Sequence, residues 1–273
     1  MTPSDKLNSL RKKLSEMGSV LIAFSGGTDS SFLLRVARDT IGQSAGATTA
    51  NSSLLAKRHL ERAKRFTQDQ GLKHVVVPTA QLADPDFVSN SEKRCYYCAR
   101  IVYSRLLGLA KDLGIAYVAN GTNLDDSNDY RPGATACDEL GVRSPLREAH
   151  LTKSEIRYLS KEMGLPTWNQ PPDSCLATRI PYGIKITQER LNRIEAAEEL
   201  LLGLGFRNLR ARDYDETVRI ELAAPELSMA VGDPTRGKLV DGLKSCGYSY
   251  VSLDLEGYRA GSMNKTAREE DGR

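Results

Sequence analysis

The sequence predicts an α/β protein with a parallel sheet, followed by a smaller α+β domain. Short apolar strands alternate with helical segments over roughly the first two thirds of the chain. A glycine-rich turn, residues 25–30, joins the first strand to a helix. Beyond residue 183 the pattern changes to strands separated by tight turns. Alternating strands and helices favour right-handed crossovers with helices on both faces of the sheet.

The elements of the first domain follow from apolar spacing and stop signals. Leu7, Leu10 and Leu14 lie at helical spacing before Gly18, which predicts an opening helix that ends there. Strands are expected at residues 20–24, 45–50, 74–78 and 115–120. A helix follows the glycine turn, with Phe32, Leu33, Val36 and Ala37 on its apolar face, and further helices are expected at 54–70, at 97–113 and from the capping box at 152–155 to near 164.

The second domain is expected to hold an antiparallel sheet. Its predicted elements are a helix at 187–204, strands at 208–212 and 217–222 around a turn at 213–216, a helical stretch, and a strand at 248–255. The proline-rich loop 166–173 marks the boundary region. We expect domains at 1–180 and 181–264, with a disordered tail at 265–273 that lacks apolar anchors.

Composition excludes several classes of protein. The 273 residues are 40% hydrophobic and 27% charged, with a net charge of +3. The chain has no sustained basic run, so its composition does not indicate nucleic-acid binding. No apolar segment has the length of a membrane span or a signal peptide, so the expected location is the cytoplasm and no membrane partner is expected. In that reducing compartment, the five cysteines are not expected to form a disulfide framework.

The turn Ser25-Gly26-Gly27-Thr28-Asp29-Ser30 indicates a phosphate site. Its glycines let the backbone turn sharply and approach a phosphate, and its hydroxyls and helix amides can donate to oxyanions. An acidic residue is unexpected where anions bind, but its presence is explained if Asp29 holds Mg²⁺ against the phosphates. The alternative is a glycine turn in which Asp29 and Ser30 merely cap a helix. The loop lacks the lysine of a Walker A motif and the spacing of a dinucleotide fold.

Three cysteines are candidates for chemistry. Cys95 and Cys98 lie three residues apart at the start of a predicted helix, and Cys175 lies in a polar loop near the cation of Arg179. Three thiolates can hold a [4Fe-4S] cluster and leave one iron open for an exogenous ligand such as sulfide. A zinc site and a thioredoxin-like redox pair are the alternatives. Cys137 and Cys246 are interpreted as structural thiols.

A polar string at residues 120–133 follows the fourth predicted strand. Ligand crevices of open α/β sheets lie at such carboxyl ends, so Asp125 and Asp126 are candidates to bind Mg²⁺ and the nucleotide. The alternative is a turn rich in Asn and Asp.

Taken in order, the motifs resemble those of one family. SGGTDS resembles the PP-loop of the N-type ATP pyrophosphatases. Together with CYYC, GTNLDDSNDYRPG, GVRSPL and SCLATRIPYG, it is similar to the LarE family of ATP-dependent sulfur transferases. The resemblance runs from about residue 7 to 264 and includes Glu198. Asn120 and Ala99 depart from the family pattern, which leaves details of nucleotide and substrate contact open.

The resemblance implies a fold and a reaction. The fold would be a PP-loop ATP pyrophosphatase domain, Rossmann-like, with a small second domain. The enzyme would adenylylate a carboxylate of pyridinium-3,5-biscarboxylic acid mononucleotide and convert it to a thiocarboxylate, a step in making the nickel-pincer nucleotide of lactate racemase. Its cofactors would be ATP, Mg²⁺ and a [4Fe-4S] cluster, and its assembly a homo-oligomer.

The resemblance also implies roles for residues of this chain. Cys95, Cys98 and Cys175 would hold the cluster, as in the three-cysteine type of the family. Cys175, Arg179 and Asp29 would be catalytic. Arg210 and Arg212, with Arg179, would hold the phosphate and carboxylates of the substrate, because a guanidinium matches both; on alternation alone, Arg210 and Arg212 could equally lie on a solvated strand face.

Three other functions stay open. A tRNA thiolation enzyme shares the PP-loop and often has paired cysteines, although this chain has no strong basic stripe. A nucleotide-binding sensor would bind ATP without releasing pyrophosphate. A synthetase that uses ammonia would leave the three cysteines without a role.

Overall fold

The computed structural model describes residues 1–128, 132–171 and 173–259, so the predicted tail at 265–273 lies outside the described residues. The chain divides into two compact units. Unit 1 comprises residues 1–81 and 93–173, and unit 2 comprises residues 82–92 and the chain from 174 onward. The division therefore follows residue 173, whereas the sequence suggested 180, and an excursion at 82–92 belongs to unit 2. In the described part of the chain, no helix is long and apolar enough to cross a membrane.

The secondary structure follows the predicted order. The helices are α1 Pro3–Met17, α2 Thr28–Ile41, α3 Lys57–Asp69, α4 Pro85–Val88, α5 Arg94–Asp112, α6 Pro132–Glu139, α7 Pro145–Glu148, α8 Lys153–Glu162, α9 Gln188–Gly203, α10 Leu227–Val231 and α11 Thr235–Ser245. The strands are β1 Val20–Ala23, β2 Ala45–Asn51, β3 His74–Pro78, β4 Tyr117–Ala119, β5 Arg210–Tyr214, β6 Thr217–Glu221 and β7 Tyr250–Leu253.

Unit 1 contains the predicted parallel sheet, in the order β3-β2-β1-β4. Alternation along β1 covers both faces of this sheet, because successive side chains point to opposite sides. Val20 and Ile22 pack into a core with residues of α1, α2 and α8, whereas Leu21 packs with residues of α5 and α6. Helices therefore lie on both faces, as expected for parallel strands that are buried on each side.

Two helices begin at residues other than those predicted. Residues 52–55 form a turn, in which the Leu55 amide donates to the Ser52 carbonyl (3.0 Å), so α3 begins only at Lys57. Helix α5 begins at Arg94 rather than at 97, which places Cys95 and Cys98 in its first turn.

Unit 2 contains a sheet in the order β5-β6-β7. Strands β5 and β6 are antiparallel as predicted, but β6 and β7 are parallel, so the prediction of a wholly antiparallel sheet was wrong. The reason is the connection: α10 and α11 lie between β6 and β7, and such a crossover returns the chain in the same direction. Strand β5 also begins two positions later than predicted, and the tight turn is centred on Asp215, whose φ is 64°.

The excursion 82–92 is held in unit 2 by a buried asparagine. Asn90 is 0% exposed and adopts a φ of 57°, in the left-handed region that Asn tolerates. Its Nδ2 donates to the carbonyls of Pro181 (2.7 Å) and Ile184 (2.8 Å), and its own carbonyl accepts from the Gly183 amide (3.1 Å). These bonds attach the excursion to the segment that follows the 3-10 helix Leu176–Arg179.

We therefore expect Asn90→Gly to lower the free energy of unfolding by about 1–3 kcal/mol, because the glycine accepts the positive φ but leaves two half-buried carbonyls without their donor. Asn90→Ala should lose about 1–2 kcal/mol more, since an alanine also pays for the left-handed backbone. Urea denaturation followed by circular dichroism measures both. A glycine variant as stable as wild type would show that the amide does not hold the excursion.

Candidate active site

The glycine-rich turn lies between β1 and α2, as predicted. Gly26 has a φ of 71°, and a Cβ there would lie 3.1 Å from the Ala63 Cα of α3, so the position requires glycine for both reasons. The hydroxyl oxygens of Ser25 and Ser30 lie 3.1 Å apart, and the Gly27 amide donates to Ser25 Oγ (3.3 Å). Gly27 is the N-cap of α2 and makes no side-chain cap bond. The helix therefore presents its positive end in this turn, where an anion binds favourably.

Asp29 carries two carboxylate oxygens in different environments. Oδ2 accepts from Lys153 Nζ (2.5 Å) at the start of α8. Oδ1 is buried and has no hydrogen-bond partner among the described residues. Leaving such an oxygen buried and unpaired is costly, and carboxylate oxygens are the ligands that Mg²⁺ prefers. The donor set at Asp29 thus fits the Mg²⁺ that the sequence predicted there.

Lys153 is a candidate site residue that the sequence interpretation missed. The predicted capping box is present: the Thr152 hydroxyl accepts from the Glu155 amide, and the Glu155 carboxylate accepts from the Thr152 amide. Within it, Lys153 occupies the first turn of α8, where the helix dipole disfavours a cation. A lysine in that unfavourable position was the sequence feature that could have identified Lys153 as a candidate site residue. In the structure, its ammonium pairs with Asp29 and so places a positive charge beside the turn, which lacks the lysine of a Walker A motif.

The second polar loop meets the first at the edge of the sheet. A Cβ on Gly121 would lie 3.0 Å from the Ser30 backbone nitrogen and 3.3 Å from the Asp29 carbonyl carbon, so the two loops touch through their backbones. Because β1 and β4 are adjacent while β2 and β3 continue on the other side of β1, this is the point where the strand order reverses. Open α/β sheets bind their ligands at that point.

Asp125 and Asp126 help to shape this second loop. Asp125 Oδ2 accepts from the Lys153 amide (2.8 Å), and Asp126 Oδ2 accepts from the Asn123 amide (3.0 Å). The Asn123 side chain in turn accepts from the Asp125 amide (3.0 Å). These are the bonds of the turn that was the alternative interpretation. A role for either carboxylate in binding Mg²⁺ or nucleotide stays a prediction.

Asn120, which departs from the family pattern, is buried at the end of β4. Its Oδ1 accepts from the Thr122 amide and from Ser144 Oγ, both at 3.0 Å. It also hydrogen-bonds Tyr103 and Cys137, and burial raises the pKa of both of those groups. A neutral amide suits this buried place, because a carboxylate would bring an additional charge beside two groups that burial keeps neutral.

The chain that precedes Cys175 is anchored on the phosphate turn and on α3. Thr28 Oγ1 donates to the Thr167 carbonyl (2.7 Å). The Gln170 amide, oriented to satisfy both neighbours, donates to the Gly26 carbonyl (3.1 Å) and accepts from Arg62 (2.7 Å). The end of unit 1 is therefore tied to the turn that the sequence assigned to pyrophosphate.

Asp173 completes this anchor. Its carboxylate oxygens lie 2.8 Å from Arg62 Nη2 and 3.3 Å from His59 Nε2. Burial alone would raise the pKa of Asp173, but hydrogen bonds and charge from His59 and Arg62 outweigh it and hold that pKa well below its usual range. The carboxylate is thus ionised, and its ion pairs fix the last residue of unit 1.

Cys95 and Cys98 occupy one side of the first turn of α5. Cys95 is exposed, and Cys98 is half-buried, with Gln81 Nε2 donating to its Sγ at 3.8 Å. Neither is in a disulfide, and the same holds for Cys137, Cys175 and Cys246. Among the residues that the structure describes, no group of three or more His, Cys, Asp or Glu side chains is arranged to hold a metal ion. The cluster therefore stays a prediction.

Arg179 in unit 2 has a different environment from the one predicted. It is 0% exposed and forms a bidentate pair with the equally buried Glu198, through Nε (2.8 Å) and Nη2 (3.1 Å). Its Nη1 donates to the carbonyls of Ser174 (2.8 Å) and Cys175 (3.0 Å). These partners of Arg179 are all protein groups, and a substrate contact by Arg179 stays a prediction.

Arg210 and Arg212 lie on β5 and are both buried, at 9% and 5% exposure, so they do not lie on a solvated strand face. Arg212 pairs bidentately with Glu221 (3.0 and 2.7 Å) and donates to the Thr178 carbonyl (2.9 Å). Arg210 stacks over the Tyr258 ring at 4.7 Å and donates to its hydroxyl (3.2 Å). The Arg212 guanidinium thus lies beside the segment that carries Cys175.

Comparison with known proteins gives three informative relatives, although no family model matches the sequence. Pyridinium-3,5-bisthiocarboxylic acid mononucleotide synthase of Lactiplantibacillus plantarum is 35% identical, over 97% of this chain and 96% of that protein. An uncharacterized Synechocystis protein is 43% identical, over 95% of this chain and 97% of its own length. One component of the glutamine-hydrolyzing GMP synthase of Thermoplasma volcanium is 29% identical, over 74% of this chain and 69% of that protein.

The parallel sheet, the SGGTDS turn at its switch point and the similarity to GMP synthases define a PP-loop enzyme that uses ATP with Mg²⁺. This confirms the predicted fold class and makes the protein an ATP-dependent transferase. The similarity to the Lactiplantibacillus synthase extends through both units. The chain therefore belongs to the LarE family, as the motifs had suggested.

We expect Lys153→Met to slow ATP-dependent pyrophosphate release by about 10²–10³, because the variant removes a preorganised cation beside the phosphates. Lys161→Met is the matched control, since that lysine lies on the same helix but over the Trp168 ring (5.1 Å). Circular dichroism checks that both variants fold. Pyrophosphate release by Lys153→Met within a few-fold of the control would remove Lys153 from the active site.

Proposed function

We propose that the protein adenylylates a carboxylate of pyridinium-3,5-biscarboxylic acid mononucleotide and converts it to a thiocarboxylate. The observation that carries the proposal is the paired site at the switch point, where Asp29 and Lys153 stand beside an uncapped helix N-terminus. The Lactiplantibacillus relative, which is named for the corresponding bisthiocarboxylic acid product, supports the choice of substrate.

The first half of the proposed reaction uses unit 1. A carboxylate oxygen of the substrate attacks the α-phosphorus of ATP, the bond to the β-phosphate breaks, and pyrophosphate leaves. The amides at the start of α2 and the Lys153 ammonium hold the leaving pyrophosphate. Mg²⁺ would be held by Asp29, whose Oδ1 has no protein partner among the described residues, and would offset charge on the phosphates.

The second half of the proposed reaction needs a sulfur nucleophile. Sulfur attacks the activated carbonyl carbon, and AMP leaves with one of the original carboxylate oxygens. We propose that Cys95, Cys98 and Cys175 hold a [4Fe-4S] cluster, which when bound supplies the transferable sulfide. The donor set fits, because all three residues are cysteines outside disulfides, and two of them lie three residues apart on α5.

Chain connectivity supports the part assigned to Cys175. Asp173 is fixed by His59 and Arg62, and two Cα–Cα links of about 3.8 Å each keep the Cys175 Cα within about 7.6 Å of the Asp173 Cα. The Gln170 bond to the Gly26 carbonyl ties the same stretch of chain to the phosphate turn. Cys175 thus follows in the chain directly after the residues that anchor the end of unit 1.

Arg210 and Arg212 are our proposed contacts for the phosphate and carboxylates of the substrate. They are two residues apart on β5 and therefore share one face of the strand. Arg212 also donates to the Thr178 carbonyl, in the segment that follows Cys175, so an anion bound by these guanidinium groups lies near that segment. We further propose that the protein is a cytoplasmic homo-oligomer, which rests on the family resemblance and, for the compartment, on five cysteines outside disulfides.

Anaerobic purification and reconstitution with iron and sulfide test the cluster. Wild type and Cys246→Ala should bind one [4Fe-4S] cluster per chain by iron content and absorption spectrum, whereas Cys95→Ala, Cys98→Ala and Cys175→Ala should each lose it. Cys246 is the matched control, because it is a half-buried free thiol with no proposed role. A wild-type protein that binds no iron after reconstitution would contradict the cluster proposal.

Incubation with ATP, Mg²⁺ and the biscarboxylated mononucleotide tests the substrate. Pyrophosphate release should require that molecule and should not require tRNA. Release only with tRNA would favour the thiolation enzyme instead, and ATP binding with no release under any condition would favour a sensor.

A further inference from the structure

The segment that carries Cys175 is organised around one enclosed side chain. Arg179 Nη1 lies within hydrogen-bond distance of the Ser174 carbonyl and hydroxyl (both 2.8 Å), the Cys175 carbonyl (3.0 Å) and Thr178 Oγ1 (2.9 Å). The Thr178 hydroxyl in turn donates to the Cys175 carbonyl (2.7 Å). The main chain on both sides of the thiol is thus bound to a single guanidinium nitrogen and the hydroxyl beside it.

The other side of the guanidinium is fixed in the core of unit 2. Glu198, on α9, is 0% exposed and receives Nε and Nη2 of Arg179 in a fork, which fixes the orientation of the planar group. Glu198 Oε1 also lies 3.4 Å from the Ala211 amide of β5, so the pair is attached to the sheet. The Cys175 segment therefore takes its position from α9 and β5.

We propose that Arg179 is a positioning residue, which fixes the main chain of Cys175 and thereby the direction in which its thiol is presented. This inference rests on the role proposed for Cys175 in sulfur transfer. It gives Arg179 a role through Cys175, which differs from the direct substrate contact that the sequence suggested. A guanidinium is required because a lysine could keep the pair with Glu198 but could not reach the Ser174 and Cys175 carbonyls at the same time.

Two variants test the proposal without removing the charge that Glu198 needs. Arg179→Lys keeps a cation beside Glu198, and Thr178→Val removes only the bridging hydroxyl. Arg193→Lys is the matched control, since Arg193 pairs with the buried Asp213 (2.8 Å) in the same unit and, in the part of the chain that the structure describes, makes no hydrogen bond to residues 174–178. Circular dichroism and melting temperature confirm that each variant is folded.

The first readout does not depend on activity. In reduced, iron-free protein, amide hydrogen exchange at 174–178 should become about tenfold faster in Arg179→Lys, because lost hydrogen bonds lower the cost of opening the segment. The alkylation rate of Cys175 relative to Cys246 should change about fivefold or more. Thr178→Val should show smaller changes in the same direction, and Arg193→Lys should match wild type.

The second readout is the amount of thiocarboxylate formed per pyrophosphate released, which should fall about tenfold in Arg179→Lys. Exchange and alkylation like those of wild type in both test variants would overturn the proposal. Faster exchange with an unchanged product ratio would also overturn it, because the role would then be structural only. If wild type forms no thiocarboxylate, the proposed function fails, while exchange and alkylation still decide whether Arg179 positions Cys175.

Discussion

The contact between two loop backbones at the edge of the parallel sheet is the constraint on which the active site depends. Strands β1 and β4 are neighbours, so the turn after β1 and the loop after β4 emerge side by side. They approach until Gly121 would place a Cβ 3.0 Å from the Ser30 nitrogen. A side chain at this position would be crowded against the Ser30 backbone, so glycine suits the approach that brings the two loops together.

Charge is distributed around that contact in a way that suits a pyrophosphate. The N-terminus of α2 and the Lys153 ammonium are positive, and Asp29 introduces a carboxylate between them. A carboxylate in an anion-binding site is unfavourable unless a cation compensates its charge. Lys153 pairs with Asp29 Oδ2, whereas Oδ1 has no hydrogen-bond partner among the described residues. In unit 2, buried carboxylates likewise compensate the charges of Arg179 and Arg212, and both arginines donate to carbonyls of the segment that carries Cys175.

The features that were predicted correctly from the sequence are those that short-range residue patterns determine. The order of strands and helices in unit 1, the turn at Ser25 to Ser30 and the capping box at Thr152 depend on short-range spacing, and the structure contains each of them. Lys153 was missed because its partner, Asp29, is far away in the chain. The burial of Arg179 could not be predicted either, since it depends on Glu198 and on packing within unit 2. The parallel pairing of β7 was missed because the length of a connection, rather than strand composition, determines it.

The central claim is that the substrate carboxylate attacks the α-phosphorus of ATP at this turn, and isotope transfer tests it most directly. The protein is incubated with ATP, Mg²⁺, a sulfide source and the biscarboxylated mononucleotide labelled with ¹⁸O in its carboxylates, and the nucleotide products are analysed by mass spectrometry. The account predicts AMP that carries ¹⁸O from the carboxylate, together with pyrophosphate. Unlabelled AMP, or ADP and phosphate as the products, would contradict it.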